Sequence, residues 1–181
     1  MLQLKLFKVY GGEEKLGEVI SAFSNLIKVS DNIVGIPYDY GRNGYRKILE
    51  DIRGLNVKQY ILTPEKFFKL INLCVSKDYY ISSLNFLDSV PKEHQEALDF
   101  YRNQINKAST LVDKNDRASK FLSELEWIVS EDSIDIKELT IRIKSEETKL
   151  QVDVTFYNNG VILIDNMTIT NQVIELLKII E

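Results

Sequence analysis

The sequence predicts an α+β protein: an N-terminal βαβ-like unit, a helical hairpin, and a C-terminal three-stranded antiparallel meander covered by a final helix. Three observations carry this. Apolar and polar residues alternate over 2–10 and again between 139 and 156, the period of a half-buried strand. Between and after these segments, apolar residues recur at helical spacing. Turn-forming residues separate the periodic runs, while only three prolines and eight glycines are scattered through 181 residues. No flexible linker is evident, so one compact domain spanning 1–181 is expected, with subunits 1–90, 91–130 and 131–181.

The first strand places Leu2, Leu4 and Leu6 on one face and Gln3 and Lys5 on the other, and Gly11-Gly12 ends it. Leu16, Val19, Ile20, Phe23, Leu26 and Ile27 then predict a helix running to about Lys28. Ile33–Ile36 is a short apolar strand stopped by Pro37. Tyr45 to Ile52 reads as a short helix closed near Gly54. Val57 to Leu62 reads as a third strand. Thr63-Pro64-Glu65 combines a capping hydroxyl, a first-turn proline and a first-turn acid, and starts a helix carrying Phe67, Phe68, Ile71, Cys74 and Val75. Its loops have the lengths of an α/β unit.

Residues 76–90 show no clear period. Ala97, Leu98, Tyr101, Ile105 and Ala108 mark one helix. Ala118, Phe121, Leu122, Leu125, Ile128 and Val129 mark a second, and the polar DKND (Asp113–Asp116) is read as the turn between them. Trp127 lies beside the second stripe and is expected to be partly buried. In the meander, a two- or four-residue turn at Ser145–Thr148 would pair Ile143 with Leu150, Ile141 with Val152 and Leu139 with Val154, all on the buried face. Asn158–Gly160 leads to Val161–Ile164, and Thr168–Asn171 caps a helix with Val173, Leu176, Leu177 and Ile180 on one face.

Composition narrows the function. With 44% hydrophobic and 28% charged residues the chain resembles an ordinary globular protein. It has no apolar run of the ~20 residues a bilayer span needs and no continuous apolar leader, so a cytoplasmic protein without a membrane partner is expected. The single cysteine, Cys74, lies in an apolar run and reads as an inert buried thiol. The net charge of −4 is uneven: +2 over residues 1–60, +1 over 61–120 and −7 over 121–181. An acidic last third suits solubility or a basic partner surface better than phosphate neutralisation.

One stretch has the composition of a site: IPYDYGRNGYRK, residues 36–47. Asn43-Gly44 is a common turn pair, and a turn between strand and helix is its simplest reading. The binding reading uses Tyr38, Tyr40 and Tyr45 for stacking or anchoring, Arg42, Arg46 and Lys47 for anion neutralisation, and Asn43 within the turn. GRNG matches neither the P-loop nor the dinucleotide fingerprint. Elsewhere, a three-residue Asn158–Gly160 loop would set Asp153 opposite Asp165, while Arg142 would lie diagonally across from Asp153. Asp135 and Lys137 are slight echoes of a carboxylate nuclease cluster. His94, the only histidine, reads as part of a solvated helical turn. One histidine and one cysteine leave no material for histidine triads or zinc sites. No catalytic residue, metal or cofactor is expected.

The function this predicts is a non-catalytic interaction module that binds and regulates or inhibits a larger protein, of inhibitor, immunity, accessory or phage and mobile-element type. Two alternatives stand beside it. One is nucleotide or nucleic-acid binding through loop 36–47. The other is carboxylate- and metal-dependent catalysis, as in a nuclease.

Overall fold

The computed structural model describes residues 1–39 and 44–181. The chain is α+β, and its strands join in one sheet of eight, all paired antiparallel. In chain order the elements are β1 (Leu2–Val9), α1 (Gly12–Ala22), β2 (Ile27–Lys28), β3 (Ile33–Pro37), α2 (Tyr45–Asp51), β4 (Val57–Gln59), α3 (Pro64–Ser76), β5 (Tyr80–Phe86), α4 (Lys92–Lys107), α5 (Leu111–Ser130), β6 (Ile136–Lys144), β7 (Gln151–Tyr157), β8 (Val161–Ile164) and α6 (Thr170–Ile180), the last preceded by a 3₁₀ turn at Met167–Ile169. The sheet runs β2-β3-β1-β8-β7-β6-β5, with β4 added to β1.

β1 is the hub. One edge pairs with β3 over residues 4–8. The other is shared: β8 takes residues 2–5 and β4 takes residues 7–9. Leu6 sits at the switch, its N–H donating to Gly160 O at 2.8 Å and its carbonyl accepting from Tyr60 N–H at 3.1 Å. The β-α-β order of the N-terminal part is present, but β3 and β4 return antiparallel to β1. β5 falls in the segment whose period was unclear, and it pairs with β6 around a bulge between Ile81 and Ser83. The stretches 1–90 and 131–181 therefore contribute to one sheet.

Both faces of β1 are buried, and this divides the core in two. Leu4 and Leu6 face a large core with the apolar sides of β6, β7 and β8, with α3, α5 and α6, and with Leu98 and Ile105 of α4. Phe7 and Val9 face a smaller core with Leu16, Val19, Val34, Ile36, Tyr38 and Ile48, beneath α1 and α2. Val173, Leu176, Leu177 and Ile180 of α6 are all buried in the larger core.

Several local expectations change. The first helix stops at Ala22, because Ile27 and Lys28 pair with β3 as an edge strand. The DKND residues do not form the hairpin turn. Thr110 caps α5 by accepting from Asp113 N–H at 3.1 Å, so these acids lie in the first turns of the helix, where its dipole favours them. Trp127 is 55% exposed. In the meander, Ile143 pairs with Val152, Ile141 with Val154 and Leu139 with Phe156. The pairing is displaced by two residues because the turn is longer: Ser145 N–H donates to Leu150 O at 2.8 Å, and Lys149 adopts φ +62. A displacement of two preserves every face.

The outer edge of β5 is closed by α4. The Asn106 amide donates to Ile81 O at 2.8 Å and accepts from Ile81 N–H at 3.0 Å, while Arg102 donates to Ser82 O at 3.0 Å. One side chain thus takes the two bonds an additional strand would use, which protects an edge otherwise open to pairing.

Candidate interaction surface

The two helical layers cover the sheet unequally. On one face α3, α5 and α6 pack from β1 across to β6. On the other, α1 and α2 pack over β1 and β3. The face presented by β5–β7, away from the large core, has no described helix in either core cluster lying on it. Its composition follows from strand alternation. Residues 152, 154 and 156 are buried, so Asp153, Thr155 and Tyr157 point the other way. Residues 139, 141 and 143 are buried, so Glu138, Thr140 and Arg142 do the same.

The register arranges these side chains in rows. Tyr157 pairs with Glu138, which pairs with Asn85, and the Asn85 amide donates to Glu138 at 2.8 Å. Thr155 pairs with Thr140, with 3.0 Å between the hydroxyls. Asp153 pairs with Arg142, which donates two bonds to the carboxylate at 2.7 and 3.0 Å and lies 5.6 Å from the centroid of the Tyr80 ring. Arg142 is therefore directly opposite Asp153, and the bond between them holds the guanidinium pKa above its usual value. The Asn158–Gly160 connection has three residues, and Asp165 N–H donates to Asp153 O at 3.2 Å. Asp165 thus falls beside Asp153, whose charge Arg142 already balances. Among the described residues no group of three histidine, cysteine or acidic side chains is placed to hold a metal ion.

Of the residues singled out in 36–47, Tyr38, Tyr45, Arg46 and Lys47 are described, and they lie just after β3 and along α2, at the margin of this face. Tyr40, Arg42 and Asn43 lie outside the described residues. Tyr38 is buried in the smaller core, with the Tyr45 ring 6.4 Å away at 51°. These two rings anchor α2 to the sheet. Arg46 and Lys47 point outward on α2, and Arg46 donates to Glu50 at 3.1 Å, a helical i,i+4 pair. Its described residues are therefore divided between an inward tyrosine pair and two outward cations.

Lys5 was missed. Alternation on β1 assigned it to a polar face, yet it is only 2% exposed. Its Nζ donates to the Asn159 carbonyl and lies 5.5 Å from the centroid of the Tyr45 ring. Burial pulls its pKa down to about 8. A signal was present: Phe7 and Val9, the next two residues on that face, are apolar. Cys74 is fully buried, and burial pushes its thiol up to about 12, so little reactive thiolate forms. Among the described residues no helix is long and apolar enough to cross a membrane. Comparison with protein-family models, curated proteins and solved structures finds no match to this chain.

Proposed function

We propose that the protein is a non-catalytic interaction module that regulates or inhibits a larger protein partner, and that it docks through the β5–β7 face with the outward Arg46 and Lys47 of α2 as a rim. The observation that carries this reading is a sheet face left uncovered beside a face that is fully packed. Its aromatic and hydroxyl side chains, Tyr80, Tyr157, Thr140 and Thr155, offer flat, rigid contact area. The partnered ions Arg142 and Asp153 suit a mixed-polarity protein surface. The partner is of the type that inhibitors, immunity proteins and accessory subunits address in the cytoplasm.

The nucleic-acid alternative is weaker on this surface. Phosphate binding draws on cations free to release counterions. Here Arg142 and Arg46 are already bonded to carboxylates, and Glu138 and Asp165 add negative charge. The carboxylate- and metal-dependent alternative gains no support, since among the described residues no group of three histidine, cysteine or acidic side chains is placed to hold a metal ion.

The test is a capture experiment on tagged protein in native lysate, with and without nuclease, run in parallel with Thr155→Arg and with Arg46→Ala/Lys47→Ala. Thr155 is on an open face, and circular dichroism checks that its replacement leaves the fold intact. A stoichiometric protein that survives nuclease and is lost with Thr155→Arg supports the reading. No capture, capture that vanishes with nuclease, or equal capture by Thr155→Arg overturns it.

A further inference from the structure

The α4–α5 hairpin is fastened differently at its two ends. At the closed end the chain itself joins the helices through Ala108–Thr110. At the open end, where α4 begins and α5 finishes, the sole histidine bridges them. His94 Nδ1 lies 2.5 Å from Glu124 Oε1 on α5, and Nε2 lies 4.0 Å from Asp132 Oδ2 in the segment after α5. The imidazole thus has a carboxylate on each nitrogen, from two parts of the chain that α4 must be held against.

We propose that His94 is a proton-controlled clamp on the open end of the helical hairpin. Only the imidazolium carries N–H groups on both nitrogens. Protonated, it donates to Glu124 and faces Asp132 with a full positive charge. Neutral, it keeps one N–H, which can still reach Glu124, but the attraction of its positive charge for Glu124 and for Asp132 is lost. The surroundings favour the charged form. Glu124 is the main influence, by hydrogen bond and by charge, Asp132 and Glu93 add to it, and partial burial opposes them. The acidic groups that face the ring thus come from α4 (Glu93), α5 (Glu124) and the segment that follows (Asp132). The nearby Lys92 is bonded along α4 to Glu96 at 3.5 Å. The helix dipole at the start of α4 opposes a cation there, while the end of α5 favours one.

The direction of the effect follows from linkage. Because the folded pKa of His94 is raised, the clamp contributes fully below the ordinary histidine value of about 6.5 and is lost as pH rises through the raised folded value. The end of the hairpin is therefore tighter in mildly acidic solution and looser above neutrality. Trp127, the only tryptophan, lies exposed on α5 between Glu124 and Asp132, on the segment the clamp controls.

The test uses the whole protein. With one histidine, a single imidazole resonance titrates in the nuclear magnetic resonance spectrum. Its midpoint is expected above 6.5 in the native chain and lower in both Glu124→Gln and Asp132→Asn, with the larger fall in the first. A structural pairing alone would also move this midpoint, so a second readout is required. Hydrogen exchange of amides in 92–97 and 124–132, corrected for intrinsic rate, is compared on either side of the midpoint. The ratio of opening constants is expected to match the displacement of the midpoint, about tenfold for each pH unit. His94→Gln should abolish this pH dependence while leaving exchange at the closed end unchanged. A native midpoint at or below 6.5, or protection independent of pH in the native chain, overturns the clamp.

Discussion

Gly160→Ala tests the junction at which β1 changes partner. Gly160 has φ +77, and a Cβ built on it would lie 1.8 Å from the carbonyl oxygen of Tyr60. Two penalties combine. The left-handed backbone alone costs an L-residue about 1–2 kcal/mol. The overlap is with backbone and has no rotamer to escape into, so β8 and the strand end at Tyr60 must separate. That separation strains the bonds from Leu6 N–H to Gly160 O, from Tyr60 N–H to Leu6 O and from Leu62 N–H to Asn158 O. Leaving even one buried backbone group without a partner costs about 1–3 kcal/mol. The sum is about 2–5 kcal/mol, reaching the upper end for a single substitution. Gly54→Ala supplies the control: its φ is +90, but nothing lies within 4 Å of the new Cβ, so only the conformational penalty of about 1–2 kcal/mol remains. Urea unfolding followed by far-ultraviolet circular dichroism measures both. If Gly160→Ala is no more destabilising than Gly54→Ala, the close approach at the junction does not exist as described.

Three further outcomes follow from single contacts. Burial lowers the Lys5 pKa from 10.5 to about 8, so the unfolded chain binds more protons between those values; stability should rise with pH from about 8 toward 10.5, and Lys5→Met should flatten that rise in urea titrations at graded pH. Asn106→Ala removes both partners of the Ile81 backbone, so it should cost about 2–4 kcal/mol and reopen the β5 edge; concentration-dependent self-association in light scattering is expected, and a monomer of native stability would refute the role. Arg142 and Asp153 are 43% and 33% exposed, so a double-mutant cycle should return a coupling of less than about 1 kcal/mol; a much larger value would mean that the open sheet face is shielded from solvent.

The sequence by itself determined the elements whose period and boundary chemistry agree. β6, β7 and α6 are legible because alternation or helical spacing is unbroken and each packs one apolar face on one core. Thr63-Pro64 marked the start of α3 for the same local reason. What the tertiary structure alone decided are features set by distant partners. β2 exists because β3 offers it an edge, although its residues continue a helical pattern. Lys5 looks exposed by alternation and is buried because α2 closes over that face. The register of the meander depended on a six-residue turn that local spacing left free by two. Of the 36–47 stretch, composition showed a concentration of tyrosine and arginine, but only packing divided its described residues into two inward rings, Tyr38 and Tyr45, and two outward cations, Arg46 and Lys47. His94 looked solvated because its carboxylate partners, 30 and 38 residues later in the chain, meet it only when the hairpin folds back. Spacing along a chain encodes which face a residue takes; what that face meets is fixed by contacts between segments, and those have no local signature.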